Sequence, residues 1–233
     1  MSEPKRFFEL ASFQPVDGGY GIFLDTRRLK TPARADLTLP SGALAHDIAA
    51  EWNAQGAKIE PRTMPLTGLA NAAVDRIAPE REAFARRLAT YGGHDLLCYR
   101  AVEPVALTTR QAKAWQPILD WLADTHGARL AVGEGIVHVD QPPEALAAQE
   151  QAILRHDAFR LAALHILTTA TGSLGLGLAT LGGRVQPFEA FELSRIDEEF
   201  QIEVWGRDAE ADARAESIRQ EIENAGRFLD LLR

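Results

Sequence analysis

Acidic side chains cluster around two large aromatic residues in the last fifth of the chain. The stretch "SRIDEEFQIEVWGRDAEADAR", residues 194–214, places seven carboxylates beside Phe200 and Trp205: Asp197, Glu198, Glu199, Glu203, Asp208, Glu210 and Asp212. Such carboxylates could perform acid–base chemistry, hold a cation, bind a basic partner or form the solvated face of a helix. The surrounding sequence indicates which of these four uses applies.

The charge of this region is strongly one-sided. Residues 189–216 contain ten acidic and three basic side chains, a difference of −7, and the whole chain has a net charge of −8. A plain solvated face usually mixes both signs. The bias therefore favours a docking surface for a basic partner, with Trp205 as an aromatic anchor.

Acid–base chemistry fits this stretch poorly. Asp197 and Glu198 are adjacent in sequence, and neighbouring residues of a helix point in different directions. A pair of catalytic carboxylates needs both groups on one face, and no histidine lies within the stretch to complete a metal site. An enzyme that uses Asp197 or Glu198, most plausibly a small metal-dependent hydrolase, therefore stays the alternative hypothesis.

Metal-binding motifs are also missing elsewhere in the sequence. No two of the six histidines are three or four residues apart, so no helix carries a histidine pair for a metal. The single cysteine, Cys98, stands in the apolar context "DLLCYRA" and is expected to be a buried structural thiol. The sequence predicts no metal site.

A glycine-rich segment, "TGSLGLGLATLGG" at residues 171–183, resembles two nucleotide or catalytic motifs only superficially. Thr171 stands where the nucleophile motif G-x-S-x-G needs its first glycine. The third glycine of a dinucleotide loop would fall on Thr180, and the lysine of a phosphate loop is missing. We expect these glycines to let two helices approach closely, and we predict no cofactor, no catalytic residue and no small-molecule substrate.

Composition excludes further classes of protein. The chain is 46% hydrophobic and 25% charged, and no block of lysine and arginine rises above its acidic background. Nucleic acids and anionic membrane surfaces are therefore poor partners, and no apolar run of about 18 residues predicts membrane insertion. The N-terminal sequence "MSEPKRFFEL" lacks the features of a signal or transit peptide. The single cysteine forbids an internal disulfide and fits a reducing compartment.

The first forty residues have the pattern of strands. "RFFEL", "YGIFLD" and "DLTLP" are short apolar runs, and "DGG" at residues 17–19 predicts a turn. Ser41 then predicts the N-cap of a helix that Gly56 ends, and the chain is mostly helical beyond Pro79. The predicted fold is α+β, with a small β-rich domain over residues 1–78 and a helical domain over 79–233 that carries the acidic surface.

Four features predict the organisation of the helical part. Thr108 and Gln111 have capping-box spacing at the start of a helix that Gly127 ends, with Pro117 predicting a kink or break. "RLAV" and "IVHV" predict a hairpin across residues 133–135. Residues 157–183 predict a buried helix or helix pair. The final helix, from about Asp208, carries a narrow apolar seam: Ala211, Ala215, Ile218, Ile222, Ala225, Leu229 and Leu232.

Five long stretches resemble one family, the assembly chaperones that bind the α subunit of the F-type ATP synthase catalytic head. They are "GYGIFLDTRRLKTPA", "AAEWNAQGAKIEP", "MPLTGLANAAVDRI", "DLLCYRA" and "DEEFQIEVWGRDAEA". The stretches run in order through nearly the whole chain, so the resemblance is full-length. Gly68 and Ala72 depart from the bulkier or polar residues of the family.

The resemblance implies a non-enzymatic function. Such a chaperone holds an unassembled α subunit and shields the surface that later meets a β subunit, which then displaces it. The resemblance also implies a bacterial, cytoplasmic member and a functionally important acidic position within "DEEFQIEVWG", without fixing which carboxylate. The predicted partner-binding residues are therefore the cluster as a whole: Asp197, Glu198, Glu199, Glu203, Trp205 and Asp208.

The sequence also gives expectations for Trp52 and for the seam of the last helix. Trp52 in "EWNAQG" also matches a family position, and we expect it to be a helix-face aromatic residue that packs the two domains together rather than a contact residue. An oligomeric scaffold, self-associating through the seam of the last helix, is a third hypothesis beside the chaperone and the enzyme.

Overall fold

The structure is a computed structural model that describes residues 4–233; residues 1–3, the start of the N-terminal stretch assessed above, lie outside the described residues. A small sheet lies near the N-terminus and the rest is mainly helical, so the predicted α+β class is confirmed. Two compact units are distinguished by their internal contacts. The first comprises residues up to Arg81 with 157–163 and 227–233, and the second comprises 82–156 and 164–226. The domain boundary between residues 78 and 79 stays a prediction.

The sheet of the first unit is built around a central strand. Strand β1 (Ala11–Val16) pairs antiparallel with β2 (Gly19–Leu24). Two short strands, β3 (Arg27–Arg28) and β4 (Thr38–Leu39), also pair antiparallel with β2.

The turn between β1 and β2 confirms the prediction from "DGG". Because Val16 pairs with Gly19, only two residues form the turn. A Cβ atom on Gly19 would lie 2.2 Å from the carbonyl oxygen of Leu39. Only glycine fits at this position, which lets the β4 backbone approach the turn.

The strand predicted over "RFFEL" is wrong. Within this stretch the chain is irregular, and β1 begins only at Ala11. The reason is Arg6, whose guanidinium donates to the carbonyl oxygens of Phe8, Glu9 and Gln55 at 3.0, 2.7 and 2.6 Å. These side-chain bonds satisfy backbone groups that a strand would pair with a neighbour.

The first helix begins as predicted but ends differently. In α1 (Gly42–Asn53) the Ser41 hydroxyl accepts from the Leu44 N–H at 3.1 Å, which confirms the N-cap. Its C-cap is Ala54, so the prediction of Gly56 is wrong. The side-chain amide of Gln55 donates to the Glu51 carbonyl at 3.1 Å and so satisfies a last-turn carbonyl without a glycine.

The second helix, α2 (Pro65–Ala72), is capped by a distant carboxylate. The N–H groups of Leu66 and Thr67 donate to Glu51 at 2.7 and 2.8 Å. A π-helical segment, Ala73–Ile77, follows α2 directly. In the same unit Trp52 packs edge-to-face on Phe8 with ring centroids 5.7 Å apart.

Two short segments from later in the chain complete the first unit. Phe159 stacks on Phe228 with ring centroids 6.4 Å apart. Arg227 forms an ion pair with Asp47 at 2.7 Å, and the Ser41 hydroxyl donates to the carbonyl oxygen of Leu231. The first unit therefore contains residues that are far apart in sequence.

The remaining helices form or enter the second unit. Their bounds are α3 Arg81–Ala89, α4 Val105–His126, α5 Pro143–Leu154, α6 Ala158–Thr171, α7 Leu174–Leu181, α8 Pro187–Ser194, α9 Ile196–Trp205 and α10 Ala209–Asp230. Four 3₁₀ turns occur at Pro61–Thr63, Ala78–Glu80, Thr90–His94 and Leu96–Cys98 within the described chain. None of the helices in residues 4–233 has the length and apolar character needed to cross a bilayer.

The long helix α4 differs from its prediction at the start. Pro104 is the N-cap and Val105 the first residue, so the capping box of Thr108 and Gln111 is wrong. Thr108 lies inside the helix and donates its hydroxyl to the Val105 carbonyl at 3.0 Å. The helix runs through Pro117 without a break, and Gly127, with φ of 74°, ends it as predicted.

The hairpin predicted across residues 133–135 is also wrong. Strand β5 (Tyr99–Arg100) pairs parallel with β6 (Gly133–Glu134). The side-chain amide of Gln141 bonds both backbone groups of Ala131, at 2.9 and 3.0 Å. A side chain thus takes the place of the partner strand that the alternating apolar pattern had suggested.

The apolar segment after residue 157 forms the predicted buried helix pair, α6 and α7. Ser173 begins α7 by accepting from the Leu176 N–H at 2.9 Å. A Cβ atom on Gly177 would lie 2.8 Å from Thr168 Oγ1, and one on Gly175 would lie 2.8 Å from Leu122 Cδ1. The glycines therefore permit close helix packing, as the sequence predicted.

Candidate functional site

The acidic cluster lies on α9 and the start of α10. Pro187 begins α8, which leads directly into α9, and Gly206, with φ of 89°, follows the last residue of α9. Asp208 accepts from the Ala211 N–H at 2.8 Å and so caps α10. One of the six predicted partner-binding residues is thus already used to start a helix.

Glu203 is engaged by a cation on α4. Arg110 makes two bonds to its carboxylate, at 2.7 and 2.9 Å, and also lies 5.4 Å from the ring centroid of Phe200. The hydrogen bond from Arg110 lowers the pKa of Glu203, and the same bond raises the pKa of Arg110. Both side chains are substantially exposed, so solvent screening keeps the stabilisation small.

Asp197 is tied to the interior. Its carboxylate accepts from the Gln111 side-chain amide at 2.6 Å, and Gln111 is fully buried. The side-chain carbonyl oxygen of Gln111 accepts from the Ala101 N–H at 2.8 Å. Because a buried amide left without partners is costly, Asp197 helps to hold α9 against α4.

The remaining carboxylates divide into one weak pair and one free group. Glu199 lies 3.7 Å from Arg195, a long ion pair on the same helix. Glu198 is exposed and forms no hydrogen bond or ion pair with any residue in 4–233. It is therefore the carboxylate of α9 that is most available to another molecule.

The sequence reasoning missed Arg110 and Gln111, which engage two of these carboxylates. Gln111 lies on the buried stripe of α4, one turn before Trp115. A polar residue in an apolar stripe requires a partner, and this signal could have identified Gln111. Arg110 has no comparable signal, because 93 residues separate it from Glu203.

A groove opens between α9 and the first half of α10, with a volume of about 380 Å³. Trp205 lines this groove and is 85% exposed, whereas Ala215 and Ile218 are half-buried. The predicted seam of α10 is buried only from Ile222 onwards. The complete lining is Arg195, Glu198, Gln201, Ile202, Trp205, Gly206, Asp208, Ala211, Arg214, Ala215 and Ile218.

A second concavity of about 350 Å³ lies within the first unit. Its lining is mainly apolar and includes Phe7, Trp52 and Met64. Trp52 Nε1 and Asn71 Oδ1, on two of its lining residues, are buried and have no hydrogen-bond partner within residues 4–233. These residues carry no charge complementarity that would identify an occupant.

Groups that could support chemistry are sparse in the described chain. No set of three or more His, Cys, Asp or Glu side chains in residues 4–233 is placed to hold a metal ion. Cys98 is buried, as expected, and burial raises the pKa of its thiol to about 12. A thiol with such a pKa is almost entirely protonated at neutral pH and a poor nucleophile.

Comparison with known proteins gives consistent results. Residues 5–123 match the model of a family described as ATP12 chaperone protein. An aspartate-to-lysine mutant of Atp12p from Paracoccus denitrificans is 44% identical, covers 100% of both chains and has a TM-score of 0.95. A crystal structure of Atp12 from Paracoccus denitrificans is 44% identical over 99% of each chain, with a TM-score of 0.94. The Atu1473 protein of Agrobacterium tumefaciens is 39% identical over 99% of this chain and 87% of its own, with a TM-score of 0.92.

Proposed function

The chain belongs to the ATP12 chaperone family, a family of ATP synthase assembly chaperones, and we propose that it binds the unassembled α subunit of the F-type ATP synthase catalytic head. The observation that supports this most strongly is the 44% identity to Atp12p over the full length of both chains. The proposed action is to cover the α surface that later meets a β subunit, until β displaces the chaperone. It takes place in the cytoplasm of a bacterium.

We propose that the acidic cluster of α9 and α10 is the surface that meets α. An excess of seven negative charges over residues 189–216 would attract a basic surface and accelerate its association. Trp205, exposed beside these charges, supplies the large apolar contact that interface hot spots commonly contain. The negative charge would thus accelerate association, and the aromatic ring would contribute to the affinity of the complex.

The test is to express the α and β subunits separately and mix each with the purified chaperone. We expect the chaperone to keep α soluble in a light-scattering assay, to co-elute with it, and to release it when β is added. β alone is the matched control and should not be retained. Aggregation of α at an unchanged rate would contradict the proposed function.

Charge reversal tests the surface itself. We expect at least one lysine variant among Asp197, Glu198, Glu199 and Glu203 to lose α while melting normally. Loss of a desolvated charge pair costs about 2–5 kcal/mol, or roughly 30- to several-thousand-fold in affinity. If every variant that melts normally protects α like the parent, the cluster is only a solvated face.

We also propose that the protein has no catalytic activity and needs no nucleotide of its own. Isothermal calorimetry of the purified protein with ATP and magnesium should show no saturable heat. A screen with esterase and phosphatase substrates, repeated with added divalent metals, should show no turnover. Activity that disappears in Asp197→Asn or Glu198→Gln would instead favour the hydrolase hypothesis.

A further inference from the structure

Two helices present apolar faces to the groove that this chain leaves uncovered. On α9 the face consists of Ile202 and Trp205, and on α10 of Ala211, Ala215 and Ile218. The α10 spacing of four and three residues is the spacing with which helices pack against one another. Yet Ala211 and Trp205 are exposed, and the seam becomes buried only at Ile222. Its first half is therefore only partly covered by the described chain.

The size of the side chains indicates what kind of partner fits. Ala211 and Ala215 are small, so the backbone of an incoming helix can approach α10 closely. Trp205, the last residue of α9, lines the groove and is exposed, and Gly206 follows it with a positive φ. A shallow apolar floor between two helices suits a third helix laid along them.

The charges at the groove indicate which side chains the docking helix carries. Arg214 pairs with Glu210 at 3.4 Å, and Arg195 faces Glu199. Of the charged side chains that line the groove, Glu198 forms no ion pair or hydrogen bond within residues 4–233. The surrounding segment, residues 189–216, has an excess of negative charge. An occupant with lysine or arginine beside its apolar ridge complements both features.

From this geometry, and resting on the proposed function, we propose that an amphipathic helix of the unassembled α subunit docks in the α9–α10 groove. Its apolar ridge lies on Ala211, Ala215 and Ile218, a lysine or arginine pairs with Glu198, and Trp205 packs over its end. Glu203 and Asp197, which are engaged by Arg110 and Gln111 and lie outside the lining, are not the principal contacts.

The first test fills the groove without changing its charge. Ala211→Trp places a large ring on the floor, and Ala213→Trp, on the same helix but outside the lining, is the matched control. Both positions are exposed, so both variants should melt like the parent. We expect Ala211→Trp to weaken α binding by about 10-fold or more, and Ala213→Trp to bind like the parent.

The second test reverses a charge in the groove and another beside it. Glu198→Lys alters the unpaired carboxylate, and Glu192→Lys makes the same change at an exposed position on α8 outside the lining. We expect at least about a 10-fold loss for Glu198→Lys at low salt, shrinking as salt is added. The Glu192 variant should lose much less, because it changes only the long-range field.

The third test locates the partner directly. The native thiol is buried and has a pKa raised to about 12, so a thiol reagent will modify an introduced cysteine far faster. Ala211→Cys and Ala213→Cys are labelled with and without α, and modification of this chain is measured by mass spectrometry. We expect α to protect position 211 and to leave position 213 reactive.

The outcomes separate the two proposals. If the parent does not retain α, the proposed function fails and the groove proposal fails with it. If the parent retains α but Ala211→Trp and Glu198→Lys retain it equally well, the function stands and the groove proposal is overturned. Protection of position 211 at high protein concentration without α, accompanied by a doubled mass in solution, would show that a second copy of this chain occupies the groove, which also overturns the proposal.

Discussion

Replacing two helical glycines by alanine should change stability in opposite directions. Gly226 lies in α10 and Gly68 in α2, so alanine should improve helix propensity at both by about 1 kcal/mol. Their surroundings differ. A Cβ atom at Gly226 would lie 2.1 Å from Cγ and 2.8 Å from Cβ of Pro187, whereas no heavy atom from elsewhere in residues 4–233 lies within 4 Å of one at Gly68.

The contact with Pro187 determines whether Gly226→Ala raises or lowers the stability of the protein. A proline ring can change only its pucker, which moves Cγ but hardly moves Cβ, and this proline begins α8, so either α8 or α10 must shift. Overpacking of this kind costs about 1–3 kcal/mol, and a contact at 2.1 Å places the cost near the upper end. After the gain in propensity, Gly226→Ala should lose about 2 kcal/mol, which lowers Tm by about 4–8 °C in a protein of this size.

Thermal unfolding followed by circular dichroism measures both effects under one set of conditions. Gly68→Ala should raise Tm by about 2–4 °C, which shows that the propensity gain is real. The reasoning would be refuted by a Gly226→Ala variant that melts at or above the temperature of the parent. A Gly68→Ala variant that melts lower would show that α2 needs flexibility at that position.

The remaining predictions concern the links between α4 and the acidic segment. The hydrogen bond from Arg110 lowers the pKa of Glu203, so its stabilisation exists above the ordinary glutamate pKa and is lost as pH falls through the lowered value. The Tm difference between the parent and Glu203→Gln should therefore be small, greatest near neutral pH, and shrink below about pH 4.3; a difference that grows on acidification would contradict this. Trp115→Phe should lower Tm by about 4–8 °C, because the Trp115 Nε1 bond to the Leu193 carbonyl at 2.8 Å is lost and that acceptor is left unpaired at a cost of about 2 kcal/mol. An unchanged Tm would show that water replaces the bond.

The sequence predicted best those elements that depend on local pattern. The buried pair α6 and α7, the end of α4 at Gly127 and the cap at Ser41 follow from apolar spacing and from residues suited to helix ends. Such features need no information from distant parts of the chain. Two of the errors occurred where a distant or polar side chain replaced a backbone partner, as Arg6 does for "RFFEL" and Gln141 does beside β6.

The acidic site shows the same limit. Composition located the negative surface, but the sequence did not distinguish its carboxylates from one another. The distinction depends on α4, where Gln111 reaches Asp197 across 86 positions and Arg110 reaches Glu203 across 93. Periodicity within a helix contains no information about such pairs. Only the fold therefore shows that the Glu198 side chain forms no hydrogen bond or ion pair within residues 4–233.

The makeup of the first unit has a consequence for the order in which the protein matures on the ribosome. Residues up to Arg81 emerge early, yet their unit also contains residues 157–163 and 227–233. Phe228, which stacks on Phe159, and Arg227, which pairs with Asp47, are translated long after Arg81. The N-terminal sheet and its two helices must therefore wait, incompletely packed, until residues 227–233 have been made. A chaperone of this design completes its N-terminal unit only when these residues have left the ribosome, and nascent chains that stall before residue 227 should be readily cleaved by proteases.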